Sequence, residues 1–232
     1  DMQARACRAR YYGEITYIDW CLGRILDAVD AREDADNTLI CFFSDHGEHL
    51  GDHHAWQKES FFEQSAHVPF LLSWPARIEA DQGREELVSL TDLFAIATGA
   101  AGQVETRDGI DVLGVIAGEA APRDVLFSLY GEPGGRQFKI MARDERWKYI
   151  YLANGGREQL FDLHADPKEL TNLAAARRDV ADRLRAAAVE RLREPNADRA
   201  LDGDGVKAFE FEARSRRRIY QMAVDRGARG FP

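Results

Sequence analysis

Two short apolar runs constrain this chain more than any other feature. TLICFFS (38–44) and VPFLLSWP (68–75) are continuously apolar, rich in β-branched and aromatic residues, and too short for helices. Runs of this kind read as strands covered on both faces, with helices above and below. Helical periods flank them. From Ala4 to Ala31, Ile15, Ile18, Leu22, Ile25, Leu26 and Val29 recur at helical spacing, and the polar turn REDADN ends the pattern. KESFFEQSA predicts a short helix, and DLFAIATGA a further one capped by Ser89 or Thr91. Strand alternating with helix is an α/β signature.

After about residue 120 the pattern changes. DVLFSLY, QFKIMARD, WKYIYLA and EQLFDL are short strands separated by turn residues, and MARDERWKYI reads as a hairpin. LHADPKELTNL holds an Asp-Pro turn and offers Asn172 as the cap of an Ala/Arg-rich helix, whose Arg residues predict a solvated face. PNADRALDGDG reads as a linker, and 206–232 as a helix with a basic end. Three parts are expected: an α/β layer over 1–120, a small antiparallel sheet with a helix over 121–195, and a linker and tail over 196–232.

Between the two apolar runs lies FFSDHGEHLGDHHAWQK (42–58), with four His, two Asp, a Glu and a terminal Lys. In open α/β sheets, sites form just beyond the carboxyl ends of strands. Asp45 and His46 follow the first run directly. A hard carboxylate oxygen beside an imidazole nitrogen suits a divalent cation such as Mn²⁺ or Mg²⁺, and Gly47 permits the sharp exit that adjacent ligands need. Two other readings stay open. One is a turn in which Asp45 accepts backbone hydrogen bonds. The other is a zinc site from His46, His49, His53 and His54, although no Cys pair and no HExxH accompany them.

Composition removes several classes. With 45% apolar residues among 232, the chain can bury a real core. A net charge of −9 has the wrong sign for a polyanion binder, so nucleic acid is excluded as a partner. No apolar run approaches the roughly 18 residues of a membrane span, and no charged-then-apolar leader opens the chain. That leans away from a membrane and toward the cytoplasm. Cys7, Cys21 and Cys41 form no close pair, so no disulfide framework is expected, and Cys41 reads as a buried thiol.

The stretch SDHGEHLGDHHAWQKESFFEQSAHVPFLLSWPARI resembles the sulfatase signature of the alkaline-phosphatase-like superfamily. That pattern is roughly S-D-[HN]-G, a loop with G-[DE]-H, a Lys, an aromatic–Glu pair and V-P-hydrophobic-W-P. YYGEITYIDWCLGRILDAVD resembles the preceding helix, LVSLTDLFAIATGAAG the following one, and FKIMARDERWKYIYLANGGREQLFDLHADPKELTNLA the C-terminal sheet. The likeness runs over about residues 8–192. The Asp-His pair, where classical arylsulfatases have Asp-Asn, is similar to the branch holding choline-sulfatase-like enzymes and phosphonate monoester hydrolases.

The resemblance implies an α/β fold with an incomplete alkaline-phosphatase-like sheet layer, followed by the small antiparallel sheet and helix. It implies that Asp45 and His46 are ligands of a divalent ion (Ca, Mn or Mg). Lys58 matches the lysine on the substrate's oxyanion, a role suited to a compact ammonium. His53 matches the loop's G-[DE]-H position and would orient its neighbours; His54 receives no role. Glu63 and Gln64 would brace the loop, Glu48 and His49 would be solvated, and His67 and His164 structural. The implied reaction is hydrolysis of a small sulfated or phosphorylated substrate: a sulfate ester first, or a phosphonate monoester or phosphodiester, with a noncatalytic remnant of the fold as the remaining reading. The family's nucleophile, the Cys or Ser of C/S-x-P-x-R that becomes formylglycine in sulfatases, is read nowhere in these letters and is expected in a front half preceding Asp1. CRAR at Cys7 lacks the Pro. The 232 residues alone are therefore expected to be inactive and prone to associate.

Overall fold

The computed structural model describes residues 2–213 and divides into two compact units. The first comprises the chain up to Leu126 with Arg143–Trp147 and Phe161–Thr171; the second comprises Phe127–Ala142, Lys148–Leu160 and the chain from Asn172 onward.

The first unit opens with α1 (Met2–Asp30), followed by β1 (Ile40–Phe43), α2 (Glu63–Ala66), β2 (Phe70–Ser73), α3 (Asp92–Ala100) and α4 (Val112–Ala117). β1 and β2 pair antiparallel, with Ile40 opposite Ser73 and Phe43 opposite Phe70. Both strands fall on the apolar runs, but the expectation of two covered faces is not met. Phe42 is 36%, Phe43 42% and Leu71 62% exposed. Apolar run length reports strand propensity; it fixes neither the direction of pairing nor which faces are packed. The long helix is likewise present but has no buried residue, and Ile15, Ile18, Ile25 and Leu26 stand in solvent.

The core of this unit gathers Phe61, Trp74, Ala95, Ile96, Val112 and Val115. At its centre the wholly buried Asp92 accepts hydrogen bonds from Ser89 N (2.7 Å), Ile110 N (3.0 Å) and both terminal nitrogens of Arg123 (2.8 and 2.6 Å). The cap of α3 is thus reversed from the expectation. Neither Ser89 nor Thr91 caps it with a side chain; Asp92, one residue inside, reaches back to the Ser89 amide.

β3 (Leu126–Tyr130), β4 (Lys139–Arg143), β5 (Trp147–Leu152) and β6 (Arg157–Asp162) form a four-stranded antiparallel sheet in sequential order, separate from β1–β2. The β4–β5 hairpin turns at Asp144, whose Oδ1 accepts from Arg146 N and Trp147 N. α5 (Arg178–Leu192) belongs to the second unit and buries Val180, Ala181, Leu184, Ala188 and Leu192, one stripe at helical spacing. Its arginines are less solvated than expected: Arg178 and Arg185 both donate to Glu158 on β6, which also accepts from Tyr149 OH at 2.6 Å. Asn172 caps no helix. Its Oδ1 accepts from Leu160 N and Ala174 N, tying β6 to the segment before α5.

The expected linker carries structure too. A turn of 3₁₀ helix (Asp198–Ala200) leads into a hairpin of β7 (Leu201–Asp202) and β8 (Gly205–Val206) turning at Gly203, whose φ of 59° suits glycine. The helix expected over 206–232 does not form where residues are described: Val206 ends β8, Phe209 bridges Asn154, and 207–213 contain no helical turn; from residue 214 the expectation lies outside the described residues.

Candidate active site

β1 ends at Phe43, and the next residues turn out of the sheet as Ser44 Oγ donates to His46 O at 2.8 Å. Asp45 Oδ1 accepts from His46 N at 3.0 Å, the local turn that the residue pattern also allowed. His46 Nδ1 lies 2.7 Å from Gly47 O. A carbonyl only accepts, so Nδ1 carries a proton, and Nε2 is the nitrogen left to present a lone pair. That nitrogen lies 3.4 Å from Asp45 Oδ2, and the Lys58 ammonium donates to it. Asp45, His46 and Lys58 therefore meet on one open face, the Asp45 side chain 78% and that of His46 36% exposed.

The loop from Glu48 to Lys58 is held against its own backbone preference. Leu50, His53, His54 and Gln57 all have positive φ, between 50° and 69°, each costing on the order of 1 kcal/mol for a residue with a side chain. Interior ties hold the segment. Glu48 Oε1 accepts from Gln57 N (2.5 Å) and Leu50 N (3.2 Å), and His49 N donates to Gln57 O (3.0 Å). Glu48 and His49 are thus internal supports, contrary to the expectation of solvated residues. The His49 side chain is 2% exposed and pairs with Ser60 Oγ at 2.7 Å through Nε2. Burial, followed by the neighbouring His53, pushes its pKa down. A run of polar letters hid this: histidine spacing alone does not say which ring turns inward.

His53 stacks on Phe62, with ring centroids 4.0 Å apart, and Phe62 lies 5.7 Å from Phe161. His54 is exposed. The four histidines do not converge on one point, and among the described residues no group of three or more His, Cys, Asp or Glu is disposed to hold a metal. That disposes of the zinc arrangement. Glu63 braces the segment after the loop: its amide donates to Glu169 Oε2 at 2.6 Å, and its carboxylate lies 3.5 Å from Arg143 and 3.1 Å from His67.

Residues 3–103 match the family described as Sulfatase. A choline-sulfatase from Rhizobium meliloti (strain 1021) is 32% identical over 232 residues, covering 97% of this chain and 43% of that relative. Residues 3–103 are sulfatase-family sequence. An arylsulfatase of Clostridium perfringens (strain 13 / Type A) is 31% identical over 73% of this chain and 36% of that protein. Among solved structures, a phosphonate monoester hydrolase of Agrobacterium radiobacter is 32% identical with a TM-score of 0.68, covering 83% of this chain and 41% of that one. The chain thus spans about two-fifths of the length of the relatives it matches. No described helix is long and apolar enough to cross a membrane.

The nucleophile motif needs one correction. The letters S-x-P-x-R do occur here, at Ser73-Trp74-Pro75-Ala76-Arg77. Ser73 ends β2 opposite Ile40, the start of β1, whereas Asp45 and His46 follow the far end of β1. Three residue steps of the ladder, about 10 Å at the usual strand rise, separate those ends, and the turn to Asp45 adds to it. Arg77 is engaged over the buried Trp74 ring at 4.4 Å. Ser73 does not stand in reach of the Asp45–His46–Lys58 face. Of the cysteines, none heads C-x-P-x-R; Cys41 is half-buried in β1, where burial raises its thiol pKa.

Proposed function

We propose that this chain is part of a metal-dependent hydrolase of sulfate esters. Asp45 and His46 supply two metal ligands, and Lys58 holds a non-bridging oxygen of the anion. The observation carrying this reading is the fixed tautomer of His46. With Nδ1 committed to Gly47 O, the Nε2 lone pair stands 3.4 Å from the Asp45 carboxylate, a spacing that lets one small cation meet both. One carboxylate and one imidazole fit a divalent ion as part of a shell, with further ligands needed from elsewhere. A bound divalent ion would supply Lewis-acid polarisation of the ester.

The chain's own residues divide the remaining work. The Asp45 carboxylate contributes negative charge and an oxygen donor. His46 donates Nδ1–H to Gly47 O, which orients the ring and leaves Nε2 as the nitrogen that faces the metal. The Lys58 ammonium moves from His46 Nε2 to the substrate's anionic oxygen, where charge builds during attack. None of the three cysteines heads C-x-P-x-R, the position of a formylglycine. The nucleophile belongs to a segment carrying C-x-P-S-R.

A second reading, phosphonate monoester or phosphodiester hydrolysis, is favoured by the likeness to the Agrobacterium radiobacter enzyme. Tetrahedral sulfate and phosphonate present the same oxygens to Lys58, so these residues serve either. Turnover of p-nitrophenyl sulfate and of p-nitrophenyl phenylphosphonate separates the readings. We expect none from these 232 residues alone. Turnover that appears on supplying a polypeptide with C-x-P-S-R, and is lost in Lys58→Ala, supports the proposal. Turnover by these residues alone that survives Lys58→Ala would refute it.

A further inference from the structure

The Lys58 side chain is exposed, yet its ammonium meets His46 Nε2, so something must fix the backbone from which it springs. The buried Ser65, in α2 and 4% exposed, touches both arms of the site. Its Oγ donates to Lys58 O at 2.5 Å, and its carbonyl accepts from Gly47 N at 2.8 Å. One residue thus joins the turn carrying Asp45 and His46 to the base of Lys58. Gly47 makes the join close. A Cβ there would lie 2.1 Å from Gln64 O and 3.0 Å from Gln64 C, so the turn rests directly on the 64–65 peptide. Gly47 is demanded by close approach.

The bracket is anchored from behind within the same unit. Phe61 is buried, Phe62 stacks on His53, and the Glu63 amide donates to Glu169. Gln57, held by Glu48 and His49, steadies the loop one residue earlier but does not touch the turn at Gly47. We propose that Ser65 is a positioning residue: its hydroxyl and carbonyl set the spacing between the Asp45–His46 turn and Lys58, so that the ammonium faces the anion site. The inference rests on the proposed reading of that site for its consequence, but its geometry is testable without turnover.

The test is acetylation of the chain with acetic anhydride, with each lysine's labelling rate read by mass spectrometry. In the wild type the ammonium engaged by His46 should react more slowly than one released from it. Loss of one hydrogen bond in Ser65→Ala should raise the Lys58 rate roughly 3- to 10-fold, while Lys139, Lys148, Lys168 and Lys207 change less than twofold. Ser65→Thr, which retains the hydroxyl, should return the rate toward wild type. A Lys58 rate unchanged in Ser65→Ala, or a rise shared by all five lysines, overturns the proposal. If Ser65→Ala does not fold, hydrogen exchange of the wild type decides: the Gly47 amide must be protected at least tenfold, and an unprotected amide overturns the bracket. Failure of ester turnover in every assembly would refute the reading of the site and leave the labelling result standing. An unresponsive Lys58 would refute the bracket and leave the metal and anion reading standing.

Discussion

Replacing Arg123 by Met should be the most damaging single change in the first unit outside the candidate site. Asp92 is fully buried, and Arg123 supplies two of its four hydrogen bonds, at 2.8 and 2.6 Å, from a side chain only 12% exposed. Without the guanidinium, a carboxylate remains in the interior with two amides, from Ser89 and Ile110, to solvate it. Breaking a buried pair from one side costs about 3–5 kcal/mol, because the remaining charge is uncompensated. At about 3 °C per kcal/mol for a unit of this size, that is a fall in Tm of roughly 9–15 °C. Glu105→Gln is the control. Its pair with Arg107 is exposed on both sides, 57% and 62%, and its loss should move Tm by no more than about 2 °C. Asp92→Asn combined with Arg123→Met removes the stranded charge and should recover part of the loss. Thermal unfolding by circular dichroism reads all three. An Arg123→Met shift no larger than the control's would show that water reaches Asp92 and refute the reasoning.

Other expectations follow from particular side chains. Burial depresses the pKa of His49, so the unfolded chain takes up that proton first; stability should fall as pH drops below the ordinary histidine value, and Tm in His49→Gln should lose that slope. In the second unit, burial and the bond to Glu158 push the Tyr149 hydroxyl far above its usual range, and Glu158 also binds Arg178 and Arg185. Urea unfolding of Glu158→Ala should show a loss of about 1.5–3 kcal/mol, and a loss under 0.5 would contradict the shared role. The exposed Ile15, Ile18, Trp20 and Ile25 of α1, with Phe42 and Phe43 of β1, should drive concentration-dependent association of the 232 residues. Sedimentation velocity should show it weakened in Ile18→Glu; a monomer at every concentration would contradict it.

Element types were legible in the letters, because apolar run length and period survive any tertiary setting: α1, β1, β2, the hairpin at Asp144 and α5 all fall where their patterns put them. Relations between elements were not. Phe42 and Phe43 read as core, and only packing decides that they stand in solvent. Arg178 and Arg185 look like a solvated face until Glu158, 20 and 27 residues earlier, is placed beside them. At the candidate site, Asp45, His46 and Lys58 were readable from the strand end and the family pattern. The supports were not: Ser65 and Glu48 bind backbone atoms of residues that letters do not pair with them, and His49 turns inward among residues of the same polarity.

The central claim is that Asp45 and His46 bind one cation beside Lys58. Mn²⁺ titration of ¹⁵N-labelled chain, read as paramagnetic broadening of backbone amides, tests it even at the weak affinity expected of two ligands. The account predicts broadening first at residues 45–47 and at Lys58, abolished in Asp45→Asn and in His46→Ala. Broadening that spreads over the acidic surface, or persists unchanged in both variants, would contradict it.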